Sequence, residues 1–136
     1  MATFELNLID ATKQLSRKDV TLFHGSDHSG QFGIMARHES FMTSLLLGLY
    51  WFYVLNDPDP NYLALAGGIL YFKKNVLWVV TPHFFVDKDM KRISVNLEQE
   101  LKKEEQERKE MKQRAKNLEK EMLKRMWEIQ KKIPKS

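Results

Sequence analysis

Four histidines are the side chains in this sequence best suited to catalysis or metal binding. Two of them form the pattern His24-x-x-Asp27-His28, which offers two imidazoles and a carboxylate close together. A zinc site needs at least three converging ligands with a supporting shell of hydrogen bonds. These side chains need not converge where a strand runs into a loop, so we interpret them, with His38 and His83, as polar loop residues. The sequence predicts no metal site.

Serines and carboxylates also fail to suggest an active site. Ser26 and Ser40 lie near histidines, but a nucleophile and its base are defined by a geometry that this spacing does not indicate. Asp57 and Asp59 fall in the Pro-rich turn 56–61, a poor position for paired catalytic carboxylates. We predict a protein that is not an enzyme by itself and has no cofactor.

Composition limits the class of protein. The chain has 136 residues and no cysteine, which excludes disulfides and thiolate metal sites. Its first residues do not form a basic segment followed by an apolar one, so no secretory signal is expected. The apolar run 41–55 is shorter than the roughly 20 residues that span a membrane, and we interpret it as strands joined at Gly48.

Short apolar segments separated by turn signals occupy residues 1–86. This pattern predicts an all-β sandwich or barrel. Gly30 and Gly33 flank Gln31-Phe32 and indicate a tight turn or bulge that displays a loop. The pair Gly67-Gly68 interrupts a strand, which indicates close packing there.

A helical region is predicted at residues 94–136, after a polar linker at 87–93. No Gly or Pro occurs from Leu97 to Lys132, and Asn96 with Gln99 fits a capping box. One long helix and a helical hairpin both fit this sequence. An apolar stripe at steps of three or four residues needs a partner; it includes Met111, Ala115, Leu118, Met122, Met126, Ile129 and Ile133.

The positive charge of the chain lies in this tail. Residues 1–96 hold nine Lys/Arg and nine Asp/Glu, whereas residues 97–136 hold thirteen and nine. Such a tail favours an acidic partner surface. We expect no nucleic-acid binding, because acidic residues alternate with the basic ones and aromatic residues for base stacking are scarce.

Several motifs in the first 86 residues match one known family in order and spacing. They are Phe4 to Asp10, Ser29-Gly30-Gln31-Phe32-Gly33-Ile34, His38, Thr43, Gly48, Leu65-Ala66-Gly67-Gly68-Ile69-Leu70 and Asn75-Val76. Over about residues 3–86 the chain resembles the epsilon subunit of F-type ATP synthases. The tail resembles that family's tail in composition and length only.

This resemblance implies a non-catalytic rotor-stalk subunit of a proton- or sodium-translocating ATP synthase or ATPase. It places Gly30, Gln31 and Phe32 in the loop that meets the c-ring, and Asp10, His38 and Thr43 on the face near the gamma subunit. The basic tail would contact the catalytic alpha and beta subunits and inhibit ATP hydrolysis. The protein would be peripheral to the membrane, at the cytoplasmic face of a bacterial inner membrane.

Departures from the family pattern indicate a divergent branch. Gln31 stands where many members carry Glu, and Ala36-Arg37 replaces a common Pro-Gly. Only Asp89 and Arg92 match the spacing of the ATP-binding motif of some bacterial members, so no nucleotide binding is predicted. Our hypothesis for the branch is the alternate, sodium-linked bacterial ATPases.

A free-standing adaptor is the alternative function. In that interpretation the β-sandwich dimerises through a coiled coil formed by Met111 to Ile133. The two interpretations differ in oligomeric state, since a rotor subunit is expected to be a monomer that binds gamma.

Overall fold

The secondary structure is a run of seven strands followed by one helix. A computed structural model describes residues 2–132. Its elements are β1 (Phe4–Ile9), β2 (Gln14–Asp27), β3 (Gly30–Met35), β4 (Phe41–Val54), β5 (Asn61–Lys73), β6 (Val76–Val80), β7 (Phe84–Asp87) and α1 (Met90–Lys132). The predicted all-β domain with a helical region after it is confirmed, and the helix is single rather than a hairpin. Ile133, predicted to end the stripe, lies outside the described residues.

The strands form a closed ring. Their order is β1-β6-β5-β4-β2-β3, and β1 also pairs with β2, while β7 adds to β5. Every pairing is antiparallel except that of β1 with β6. Strand β2 pairs first with β1 and later with β3 and β4, and β5 pairs first with β7 and later with β6. Long strands that change partners in this way pass through both layers of a sandwich.

The core lies inside this ring and is built from alternate residues of the strands. Burial of large apolar side chains is the main favourable contribution to its stability. The largest fully buried side chains are Phe4, Leu6, Leu8, Phe23, Ile34, Tyr50, Phe52, Leu63, Leu65, Leu70, Phe72 and Leu77.

The double glycine marks the point where β5 exchanges β7 for β6. Gly67 and Gly68 have φ of 83° and 135°, which side chains rarely adopt. A Cβ on Gly68 would lie 2.3 Å from the carbonyl oxygen of Val80. The backbones therefore come together here closely enough to exclude any side chain.

The helix begins earlier than the sequence suggested. Only Lys88 and Asp89 separate β7 from α1, so the linker prediction for 87–93 and the cap prediction at Asn96 are corrected. Asp89 is the cap, because its carboxylate accepts a hydrogen bond from the Lys91 amide at 2.9 Å. The chain divides into two compact units, residues 1–100 and 101–136, so the first turns of α1 belong with the strands.

Candidate interaction surfaces

The hairpin turn between β2 and β3 displays the loop predicted to meet the c-ring. Asp27 holds this turn, because its carboxylate accepts hydrogen bonds from the amide and hydroxyl of Ser29 at 2.8 and 2.5 Å. Gly30 has a φ of 125° and is exposed, as is Gln31. Phe32 is half-buried and its ring packs edge-on against Phe41 at 5.3 Å. The loop thus presents a polar tip on a rigid aromatic base.

Gly33 has no comparable constraint. Its φ lies outside the left-handed region, and a Cβ there would meet a Leu22 methyl at an ordinary 3.6 Å. The expectation that both glycines shape the loop therefore holds for Gly30 alone.

Asp27 also connects this loop to Thr43. The hydroxyl of Thr43 donates to its carboxylate at 2.6 Å. Hydrogen bonds from Ser29 and Thr43 hold the pKa of Asp27 below its ordinary value. A residue predicted to face gamma is therefore fixed to the same carboxylate that shapes the loop.

His38 lies beyond the end of β3 and is exposed. Its ring packs edge-on against Phe41 and Phe72, with centroids 5.8 and 5.9 Å away. Its Nδ1 lies 2.7 Å from the carbonyl oxygen of Glu39. These contacts orient the imidazole while its other edge stays accessible.

Asp10 is turned inward. Its side chain has no exposed surface, and it accepts hydrogen bonds from the amides of Thr12 and Lys13, each at 2.8 Å. The Lys13 ammonium lies 2.8 Å from the other carboxylate oxygen, which also accepts from the amide of Phe84 at 3.3 Å. The bond from Lys13, with the amides, holds the pKa of Asp10 well below its ordinary value. This carboxylate joins the β1–β2 turn to β7.

An exposed apolar surface covers the outer side of β4, β5 and β6. Met42 pairs with Tyr71 and Tyr71 with Trp78, while Ser44 pairs with Ile69 and Ile69 with Val80. Directly opposed residues share one side of a sheet. We name Met42, Ile69, Trp78 and Val80, which are 65%, 55%, 39% and 52% exposed, the apolar face.

Of the predicted gamma contacts, Asp10 lies at the border of the apolar face, because it follows Ile9, which pairs with Val80. Thr43 pairs with the buried Leu70, so its side chain lies on the other side of the sheet. His38 packs against Phe41 and Phe72, which pair on that other side too.

The face was not predicted from the sequence, because Val76–Val80 is apolar throughout and carries no polar residue to mark its exposed side. The alternation of aromatic and β-branched residues at Trp78 and Val80 was the only signal.

Asn7 is the one polar side chain among the described residues with a buried atom that lacks a partner. Its Oδ1 accepts from the hydroxyl of Ser16 at 2.7 Å, but its Nδ2 has no acceptor. It pairs with Trp78, so it adjoins the apolar face.

The first turn of α1 is anchored to the strands. Ile93 is fully buried. The Lys88 ammonium pairs with the carboxylate of Asp57, which lowers the pKa of Asp57, and lies 3.1 Å from the carbonyl oxygen of Asp59. Asp57 and Asp59 thus take part in anchoring the helix.

The partial nucleotide motif has a structural use. Arg92 lies 3.7 Å from the carboxylates of both Asp87 and Asp89, and Asp89 caps the helix. Asp89 and Arg92 therefore both make contacts within the chain. The prediction that no nucleotide binds rests on the sequence alone.

The rest of α1 presents its side chains to solvent. From residue 101 to 132 every residue is exposed. The predicted stripe residues Met111, Leu118, Met122, Met126 and Ile129 are each more than half exposed. Trp127 lies off the stripe, with the Lys131 ammonium 3.6 Å from its ring centre. Over the described residues, no helix is long and apolar enough to cross a membrane.

The histidines lie at separate places in the fold. The His24 ring stacks on Trp51 at 3.9 Å, and the backbone carbonyl of His83 accepts bonds from Ala66 and Thr81. Within residues 2–132 no group of three or more His, Asp or Glu side chains is arranged to hold a metal ion.

These surfaces lie on a β-sandwich domain. The family described as the ATP synthase Delta/Epsilon chain, β-sandwich domain, matches residues 3–86. The chain belongs to this family.

Two solved structures share the fold. One is a chain of the Euglena gracilis mitochondrial ATP synthase in a complex of OSCP, F1 and c-ring, with a TM-score of 0.59 and 17% identity over 73% of this chain and 64% of that chain. The other belongs to the central stalk and c-ring of the Tetrahymena thermophila mitochondrial ATP synthase, with a TM-score of 0.51 and 13% identity over 62% and 66%. This chain thus matches less than two thirds of the Euglena chain.

Proposed function

We propose that this protein is a non-catalytic subunit of the central stalk of an F-type ATP synthase or ATPase. Its β domain would join a gamma-type stalk subunit to the c-ring, and its helix would restrain ATP hydrolysis. Membership of the Delta/Epsilon family supports the proposal, and the apolar face carries it, because an exposed surface of this kind marks a protein-binding site. The coupling ion is a proton or sodium.

In this proposal the apolar face meets gamma. The family likeness would also assign His38 and Thr43 to the gamma contact, on the side of the sheet opposite the face, while Asp10 would act by holding the β1–β2 turn. Asn7 supports the assignment, because a buried amide without a partner is costly and a backbone carbonyl of gamma could satisfy it.

The β2–β3 loop would contact the c-ring through Gly30, Gln31 and Phe32. The exposure of Gly30 and Gln31 at the tip of the turn supports this role. An uncharged Gln31 would replace an ion pair with hydrogen bonds. The protein would then be peripheral to a bacterial inner membrane, on its cytoplasmic side.

The stripe on α1, together with the surrounding basic residues, would contact acidic surfaces of the catalytic alpha and beta subunits. Its full exposure supports a role in binding. The same exposure favours the adaptor as a second candidate, in which the stripe pairs with another copy. Sedimentation of the full-length protein separates the two, because the adaptor is a dimer and the stalk subunit a monomer.

A lysine on the apolar face tests the contact with gamma. Ile69→Lys should reduce binding to co-expressed gamma by at least about tenfold, because it places a charge in an apolar interface. Met35→Lys is the matched control, since Met35 is 62% exposed on β3 and lies outside the apolar face. Equal gamma binding by both variants, each folded like wild type, would contradict the proposal.

A further inference from the structure

The distal half of α1, residues 111–132, differs from the rest of the helix in both charge and polarity. It holds eight Lys/Arg and three Asp/Glu, whereas residues 98–110 hold four and six. Leu101 is the one apolar residue of that proximal segment, while the distal half carries the stripe from Met111 to Ile129. Positive charge and apolar surface are therefore concentrated in the same part of the helix.

The helical period places the apolar and the basic side chains of the distal half on different sides of the helix. The stripe runs along one side, with Lys112 on one flank and Arg114 and Arg125 on the other. Leu123 and Trp127, four residues apart, add a second short apolar row and are each more than half exposed. At 3.6 residues per turn this row lies roughly 100° to 140° around the helix from the stripe, so it does not extend the stripe.

Charge complementarity decides which occupant fits this surface. A second copy would bring together two segments that each carry an excess of five positive charges. An anionic bilayer instead attracts such a segment, and basic amphipathic helices with Trp and Leu lie in its interface.

We propose that the distal half of α1 docks on an anionic lipid surface. The stripe faces the acyl chains, and Lys112, Arg114 and Arg125 extend to the lipid phosphates. The proximal segment, with its negative excess, stays off the surface and acts as a spacer. This inference goes beyond the proposed function and gives the stripe a second partner, so binding to lipid and contact with the catalytic subunits would exclude each other.

Vesicle co-sedimentation of the full-length protein tests the proposal. Vesicles of equal parts phosphatidylcholine and phosphatidylglycerol should bind it, and vesicles of phosphatidylcholine alone should not. Binding should weaken as salt rises, because the attraction is screened.

A charge-removal variant with a matched control makes the test specific. Each basic residue near an anionic surface contributes about a factor of five, so Lys112→Gln/Arg114→Gln/Arg125→Gln should weaken binding about a hundredfold. The control Lys102→Gln/Lys103→Gln/Arg108→Gln removes the same charge from the proximal segment and should leave binding unchanged. Circular dichroism checks that both variants keep wild-type helicity.

Three results would overturn the proposal. They are equal binding to both kinds of vesicle, equal weakening by the two triple variants, and formation of a dimer through the stripe without any binding to anionic lipid. No other subunit takes part in this assay, so its failure leaves the proposed stalk function to be judged by gamma binding.

Discussion

Two carboxylates fix the turns that border the predicted contact surfaces. Asp27 shapes the β2–β3 loop and holds Thr43, and Asp10 closes the β1–β2 turn and bonds to β7. Neither carboxylate is free to bind a partner directly. At the scale of single residues, recognition therefore depends on side chains that these carboxylates position.

Asp10→Asn should destabilise the protein at neutral pH, because the ammonium of Lys13 loses its ionic partner. The pKa of Asp10 is lowered on folding from its ordinary 3.8, so the ionised carboxylate stabilises the fold above that value. This contribution is lost as the pH falls through the folded pKa. The difference in urea midpoint between wild type and variant should therefore be constant near neutral pH. It should shrink as the pH falls below 3.8.

Glu39→Gln is the control for this titration, since Glu39 is exposed in the β3–β4 connection. A wild-type midpoint for Asp10→Asn at neutral pH would show that the charge of Asp10 contributes nothing to stability.

Gly68→Val should destabilise the β domain by more than about 2 kcal/mol, since the new Cβ would overlap the carbonyl of Val80 at a backbone angle that valine avoids. Gly48→Val is the matched control, because no atom lies within 4 Å of its Cβ position. Urea unfolding followed by tryptophan fluorescence measures both. Equal midpoints for the two variants would refute the close approach at Gly68.

At the scale of elements, the strands and the helix composition were predictable because their signals are local. The alternation in β1, the turn at 56–61 and the Gly-free, Pro-free run after Leu97 each depend on neighbouring residues. The parallel pairing of β1 with β6 joins segments about seventy residues apart, and no local pattern encodes it. The start of α1 was missed because Ile93 and Val95 have modest helix propensity, which the burial of Ile93 overrides.

The site was less predictable than the fold. Gly30 marked the loop by its type, but no residue type marks Met42 or Ile69 as exposed in an apolar strand. The side of the sheet on which these residues lie follows from the pairing register of β4, β5 and β6. That register is known only from the three-dimensional structure.

Ile93→Ala should destabilise the protein by about 2–4 kcal/mol, because it removes a fully buried side chain between helix and strands. Val95→Ala, two residues on and 53% exposed, should change stability by less than about 0.5 kcal/mol. Thermal unfolding compares them. Similar melting temperatures would mean that the first turn of α1 is not anchored through Ile93.

Removal of residues 101–136 should leave the first compact unit intact. If the tail restrains hydrolysis, complexes with this truncated chain should assemble normally and hydrolyse ATP severalfold faster. Steady-state hydrolysis by purified complexes measures the effect. A rate equal to that of wild type at every nucleotide concentration would remove the regulatory part of the proposal and leave the stalk assignment in place.

At the scale of the whole molecule, the chain has two compact units, and the proposal assigns different binding surfaces to each. The first, through residue 100, holds the gamma and c-ring surfaces of the proposal, and the second holds the stripe and the positive charge.

Affinity purification of the tagged full-length protein from gently solubilised membranes of its own cells tests the central claim most directly. The stalk assignment predicts that gamma, the catalytic subunits and the c-ring are recovered with it, at one copy of this chain per gamma. Recovery of a homodimer without any of these subunits would contradict it and favour the adaptor.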